Sequence, residues 1–250
     1  MRPIALIPAH RGSERLPDKV MINLAGRPLL WHVWNCTQAA GIFESTCVVT
    51  DCTDLAGMVR SWGGDVIISR VQCNNGTERI ASIIDSLSGE HFVNVQADMP
   101  HISIEVFSQL ITAWESSAAH LVTPVWRIDD CETLVDPHIV KVVRAVDGTS
   151  LLFSRQAIPF VRDRDQRQWL SQCAYWAHVG IYGYTRRALE VYRGWPASPI
   201  EKAEKLEQLR FLDHGWRWNT VEVPGPVRSI NHPDDIGRIQ VQWSDAAILH

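Results

Sequence analysis

The sequence predicts an α/β fold with a mostly parallel central sheet and a small antiparallel hairpin lobe. Three observations predict it. Strand-like and helix-like segments alternate along most of the chain. The strand-like runs are almost continuously β-rich and apolar, which suits parallel strands covered on both faces. Between roughly residues 127 and 175 the rhythm changes to two adjacent β-runs, which read as the lobe. A length of 250 residues fits one large domain, 1–250, with a core that needs no disulfide or structural metal.

Ile4–Pro8 is the first strand, and the chain then reads as loop to Ala25 and Gly26. Pro28 is placed to open a helix at its first position, with Gly41 to close it. Leu29, Val33, Cys36 and Ala40 share one face of that helix. Thr46–Thr50 reads as a strand, the stretch through Leu55, Met58 and Val59 as a helix, and Val66–Ser69 as a third strand. A helix carrying Ile80, Ile83, Ile84 and Leu87 follows, with Thr77 as its expected N-cap. Phe92–Gln96 is the fourth strand, Ile104–Ser117 a helix and Leu121–Trp126 a strand. Ile139–Val146 and Ser150–Ser154 read as a hairpin, with Asp147-Gly148 suited to a tight two-residue turn. Val179–Tyr184 returns to strand. Ser198, Pro199 and Glu201 form a capping box that starts a helix ending at Gly215. Trp216–Val223 is strand-like, and Pro233 opens the last helix with acids in its first turn.

Composition narrows the function. Hydrophobic residues make up 46% and charged residues 21%, which excludes a disordered chain. A net charge of −4 argues against a general nucleic-acid partner, which needs a basic surface. No apolar run approaches the length of a membrane span, and the N-terminal apolar stretch is too short for a signal peptide. The six cysteines show no metal-binding spacing. They are expected to be reduced thiols of a cytoplasmic protein, two or three of them buried.

In an open parallel sheet, ligands bind beyond the carboxyl ends of the strands. After the first strand comes His10-Arg11-Gly12-Ser13-Glu14-Arg15-Leu16-Pro17-Asp18-Lys19, with three permanent cations, a Gly and a Ser. Such a loop suits a triphosphate, and it suits a solvated basic loop equally. It lacks the Walker spacing. After the third strand, Asn75-Gly76-Thr77 offers a close backbone approach to a base or ribose. After the fourth, Asp98 is either a turn residue or an oxygen ligand for Mg²⁺. Asp51 reads as a cap. Lys141, among valines, either snorkels or points at a ligand. Arg155, Arg162 and His178 are weaker candidates. No nucleophilic triad order, H-E-x-x-H or strand-following G-x-G-x-x-G is present, which disfavours a hydrolase, a zinc enzyme and a nicotinamide dehydrogenase.

Eight segments, in order, resemble the 3-deoxy-manno-octulosonate cytidylyltransferase (CMP-Kdo synthetase) family. They are IPAHRGSERLPDK (7–19), NGTER (75–79), NVQADMP (94–100), DPHIVKVV (136–143), LLFSRQAIPF (151–160), HVGIYGY (178–184), SPIEKAEKLEQLRFLDHG (198–215) and NHPDDI (231–236). The resemblance implies a three-layer nucleotide-diphospho-sugar-transferase-like fold and a homodimer made with the hairpin lobe. It implies transfer of CMP from CTP to a small acidic acceptor, by default 3-deoxy-manno-octulosonate, with release of pyrophosphate and with Mg²⁺ as cofactor. It places Pro8, Ala9, Arg11, Gly12, Ser13, Asn75, Gly76 and Thr77 at the nucleotide. Arg15, Lys19 and Asp98 take catalytic roles. Gln96, His178, Tyr182, Glu207 and Gln208 fall at the acceptor, and Asp98 and Asn231 at the metal. The chain departs from the family pattern at His10, where an Arg is usual, at Ala97 and Met99, at Ala177, and at Asn231, where the family has a metal-binding Asp. These departures keep two alternatives open: a different acceptor, such as amino-Kdo or a small phosphonate, and a catalytically weakened nucleotide-binding protein.

Overall fold

In a computed structural model of the chain, residues 1–12 and 16–237 are described. The chain divides into two compact units: Arg2–Ile104 with the chain from Val227 onward, and Met1 with Glu105–Pro226.

The first unit carries the parallel sheet. β1 (Ile4–Ala9) is buried along its whole length, as a strand covered on both faces must be. The chain then forms a 3₁₀ turn, Lys19–Met21, and a two-residue ribbon of β2 (Asn23–Leu24) and β3 (Arg27–Pro28), turning at Ala25 and Gly26 with positive φ. α1 (Leu29–Ala39), β4 (Thr46–Thr50), α2 (Thr53–Ser61) and β5 (Asp65–Ile68) follow. α3 (Gly76–Ala81) and β6 (His91–Val95) complete the unit's regular elements. β4 pairs in parallel with β1 and with β5, and β6 pairs in parallel with the other edge of β1. The order β5-β4-β1-β6 therefore reverses direction at β1. A ligand crevice is expected at that switch point, outside the carboxyl ends of β1 and β6.

The second unit contains α4 (Ile104–Glu115), β7 (Leu121–Ile128), α5 (Cys131–Val135), β8 (Lys141–Arg144), β9 (Ser150–Ser154), β10 (Tyr175–His178) and β11 (Ile181–Thr185). It continues with α6 (Arg186–Gly194), α7 (Pro199–Glu204), α8 (Leu209–Asp213) and β12 (Asn219–Glu222). β7 pairs antiparallel with β10 and β11 and parallel with β12, and the β8–β9 hairpin attaches through β10. The α/β class holds, with the parallel strands concentrated in the first unit. Antiparallel pairing extends beyond the hairpin into β10 and β11.

Several local expectations are corrected. Pro28 ends β3 and caps α1 with extended backbone, so the helix starts one residue later. Asn75, not Thr77, caps α3, because its side chain accepts the Glu78 N–H at 2.8 Å. The hairpin turn is not a two-residue one. The register shifts after Val143, Asp147 accepts from Thr149 N and Oγ1, and Gly148 takes φ 81°. The strand expected over Val179–Tyr184 is β11 and starts only at Ile181, and His178 closes a separate strand, β10. The capping box at Ser198 is present, but Lys205 adopts φ 51° and breaks the expected long helix into α7 and α8. Helices α5 and α6 had no counterpart in the sequence reading; their N-caps are Asp130 and Thr185. Of the six free thiols only Cys47 is buried. The last helix begins at 233 as expected, and its continuation beyond 237 lies outside the described residues.

Candidate active site

The carboxyl end of β1 delivers Pro8 and Ala9, both buried, and then Arg11 and Gly12 in an exposed loop. Ser13 and Arg15 lie outside the described residues. Arg11 does not stand open as a phosphate cation. Its Nε and Nη2 donate to the Asp18 carboxylate at 2.8 and 3.0 Å, and Asp54 lies 3.6 Å away. Asp18 itself adopts φ 53° just before the 3₁₀ turn that presents Lys19.

Gly76 is a tight point at the strand ends of this unit. A Cβ there would come within 2.9 Å of both Gln96 Nε2 and Pro8 Cγ. The glycine thus lets α3 close on the strand ends and brings together Pro8, Gly76 and Gln96. Its lack of a side chain serves approach to the protein's own side chains. Asn75 is committed to capping α3, and Thr77 is buried within the first turn.

Lys19, Asp98 and Asn231 converge, although they lie far apart in sequence. Lys19 Nζ donates to Asp98 Oδ2 at 2.7 Å and to Asn231 Oδ1 at 3.4 Å. The two oxygens therefore face one cation position. Asn231 is held so that its oxygen, not its nitrogen, points there. Its Nδ2 donates to Ser229 Oγ at 2.6 Å and its backbone N–H to Asp235 Oδ2 at 2.8 Å. Ile230 N–H donates to the Asp98 carbonyl at 2.8 Å, which ties the two segments together. Asp235 is one of the acids expected in the first turn of the last helix, whereas Ser229 was not singled out from the sequence.

Among the described residues no group of three or more His, Cys, Asp and Glu side chains is placed to hold a metal ion by itself. Magnesium does not need one. It is commonly bound by one or two protein oxygens, with waters and substrate phosphates filling the octahedron. A carboxylate and an amide carbonyl already converging on a cation fit that requirement, with one negative charge instead of two.

Next to this centre, Arg79 is almost fully buried and its Nη2 donates to Asp51 Oδ2 at 2.9 Å. Asp51 is thus an ion-pair partner and not a helix cap. Arg79 Nη1 is buried with no hydrogen-bond partner in the structure. Partial burial, Arg79 and Lys19 all lower the pKa of His10, against an upward pull from Asp51.

The second unit holds the residues assigned to the acceptor, apart from Gln96. His178 ends β10, with its ring 5.2 Å from Phe153 and 5.1 Å from Tyr182. Burial pushes its pKa down to about 3, so the imidazole is neutral at physiological pH. Thr123 Oγ1 donates its one proton to the Ile181 carbonyl at 2.8 Å and lies 2.9 Å from His178 Nε2. With that proton on the Ile181 carbonyl, the hydroxyl accepts from Nε2–H, the tautomer that leaves Nδ1 as a hydrogen-bond acceptor. Tyr182 Oη donates to Gln208 Oε1 at 3.4 Å, while Gln208 Nε2 is a buried donor with no partner in the structure. Glu207 is half-buried in the turn between α7 and α8.

Lys141 does not snorkel. It is fully buried and donates to the carbonyls of Asp136 and Ile139 at 2.7 and 2.6 Å; burial lowers its pKa to about 8. Arg155 likewise holds backbone, donating to the carbonyls of Glu204 at 2.7 Å and Pro137 at 3.0 Å.

These arrangements have close parallels. Residues 4–220 match the family model described as cytidylyltransferase. The chain is 34% identical over 246 residues to a 3-deoxy-manno-octulosonate cytidylyltransferase of Histophilus somni, covering 94% of this chain and 96% of that one. It is 32% identical over 240 residues to the enzyme of the same name from Myxococcus xanthus, with 96% and 95% covered. A solved CMP:2-keto-3-deoxy-manno-octonic acid synthetase complexed with CTP superposes with a TM-score of 0.89 at 28% identity, covering 98% of this chain and all of that one. The chain belongs to the cytidylyltransferase family, among the 3-deoxy-manno-octulosonate cytidylyltransferases.

Proposed function

We propose that the protein transfers CMP from CTP to 3-deoxy-manno-octulosonate and releases pyrophosphate. The observation that carries this reading is the convergence of Lys19, Asp98 and Asn231 on one cation position at the switch point of the parallel sheet. A bond forms between the acceptor's anomeric oxygen and the α-phosphorus as the bond from that phosphorus to pyrophosphate breaks; the hydroxyl proton passes to solvent. Such chemistry depends mainly on positioning and charge neutralisation.

Asp98 and Asn231 would hold Mg²⁺, which would supply charge neutralisation at the phosphates. With its two oxygens so engaged, Lys19 turns its ammonium to the triphosphate as a point charge. Ser13 and Arg15 add donors to the same loop. Pro8, Gly76 and Gln96 shape the wall of the crevice. In the second unit the neutral His178 accepts a sugar hydroxyl at Nδ1, Gln208 Nε2 donates to a sugar oxygen, and Tyr182 and Glu207 complete the contacts. The protein works as a homodimer through the 127–175 lobe, whose Leu151 and Phe160 are exposed apolar side chains. Free thiols throughout suit a cytoplasmic enzyme.

Pyrophosphate release from CTP and Mg²⁺ across a panel of acids tests the reading. Release dependent on 3-deoxy-manno-octulosonate supports it. Release with another acid only, amino-Kdo or a phosphonate included, moves the assignment to that acceptor. No release with any acid, together with tight CTP binding, makes the chain a nucleotide-binding protein.

A further inference from the structure

Thr123 lies within β7, fully buried, and its hydroxyl faces the stretch that joins β10 to β11. Three groups of that stretch surround Oγ1: the Ile181 carbonyl at 2.8 Å, His178 Nε2 at 2.9 Å and, farther off, the Val179 carbonyl at 3.4 Å. The hydroxyl has one proton to give and lone pairs to receive another. Both short contacts are hydrogen bonds only when that proton goes to Ile181 and Nε2–H donates to the hydroxyl. The other tautomer would spend the proton on Nε2 and leave Oγ1 and the Ile181 oxygen 2.8 Å apart with no proton between them. The rest of His178 is fixed as well. Its backbone N–H donates to the Val140 carbonyl at 2.8 Å, and Phe153 and Tyr182 pack against the ring. His178 keeps part of its surface exposed, and Nδ1 takes no hydrogen bond from any described residue.

We propose that Thr123 is a positioning residue for the acceptor: it selects the His178 tautomer that offers a bare Nδ1 lone pair, so the acceptor must bring a hydrogen-bond donor to that point. The proposal rests on the reading of His178 as an acceptor contact. Thr123 touches no reacting atom and acts only through the imidazole. A sugar hydroxyl meets the demand at Nδ1, whereas a group that can only accept is turned away. Replacing Thr123 by Val keeps the branched shape and removes both functions of the hydroxyl. Nε2–H then has no acceptor inside the protein, and the ring gains by moving its proton to Nδ1. In that form the ring presents a donor where the sugar hydroxyl needs an acceptor.

Two measurements test this. The first is imidazole ¹⁵N NMR of the full chain, with the His178→Phe spectrum identifying the His178 signals. The wild type is expected to show a proton on Nε2 and none on Nδ1, and Thr123→Val to shift the population toward Nδ1–H. The second is steady-state pyrophosphate release with 3-deoxy-manno-octulosonate, CTP and Mg²⁺. Thr123→Val is expected to raise KM for the acceptor roughly five- to fiftyfold and to leave KM for CTP within about twofold. Thr123→Ser, which restores the hydroxyl, recovers both the spectrum and the acceptor KM. A general loss of packing would not move the ring proton. A wild-type His178 protonated on Nδ1, or on both nitrogens, overturns the proposal without need of any variant. So does a Thr123→Val protein that keeps the wild-type tautomer or the wild-type acceptor KM. A wild type that shows the Nε2–H tautomer but no turnover with 3-deoxy-manno-octulosonate overturns the functional reading, and with it the acceptor role of Thr123.

Discussion

Asn231→Asp tests the cation centre most directly. The backbone anchor survives this change, because Asn231 N–H and His232 N–H both donate to Asp235 Oδ2 at 2.8 Å. Ser229 Oγ, which accepts from the amide now, can donate to a carboxylate instead. The substitution therefore adds one negative charge with little change in shape. With Asn231 Oδ1 3.4 Å from Lys19 Nζ, a full charge at that separation is worth about 5 kcal/mol at an effective dielectric of about 20. Desolvation of the new carboxylate and its repulsion by Asp98 oppose that gain. We expect a net gain of about 1.5–3 kcal/mol in divalent-metal binding, or roughly ten- to a hundredfold. Turnover measured against free Mg²⁺ at fixed CTP and acceptor reads this as a fall in the Mg²⁺ concentration for half-maximal rate. A variant whose Mg²⁺ dependence matches wild type within about twofold would show that Asn231 does not face the metal, and the reasoning would fail.

Lys19→Ala is expected to cut turnover by well over tenfold through lost charge stabilisation at the phosphates, and near wild-type rates in the pyrophosphate assay would refute that role. Arg210→Met strands a buried carboxylate: the guanidinium now makes two 2.7 Å hydrogen bonds to Glu201, and both side chains are almost fully buried. Breaking this pair should cost about 3–5 kcal/mol and lower Tm by roughly 6–20 °C, read by calorimetry. His178 sets a pH dependence of stability. Its folded pKa of about 3 lies below the unfolded value near 6.5, so the unfolded state binds more protons between those values. Stability should therefore fall on acidification from pH 6.5, by about 2 kcal/mol at pH 5, and His178→Phe should blunt that loss. An identical pH–Tm profile for variant and wild type would contradict it.

Much of the scaffold was legible because its signals are local. β4 falls where its β-branched run lies, and the Ser198 capping box is present with Pro199 in the first turn. Errors occurred where one residue's backbone overrode a longer pattern. Lys205 in the left-handed region splits a helix whose apolar spacing continues through Leu206, Leu209 and Leu212. The strand expected over Val179–Tyr184 lies at Ile181–Thr185, and the break at Val179–Gly180 sets His178 on the preceding strand, β10. Lys141 was ambiguous for a similar reason. Its carbonyl partners at Asp136 and Ile139 are near in sequence but lie on an irregular loop that no periodicity describes.

By itself the sequence determined the α/β class and the cationic loop after the first strand and, by resemblance, named the candidate site residues. Only the tertiary structure decided which of those groups share a point in space. Lys19 meets Asp98 across 79 positions and Asn231 across 212. Gly76 packs tightly against Gln96 and Pro8, and Arg11 is engaged by Asp18 and Asp54. The physical reason is range. Capping, turn chemistry and hydrophobic period act within a few residues. The charge state and orientation of a site group depend on partners that sheet order and register bring in from distant parts of the chain.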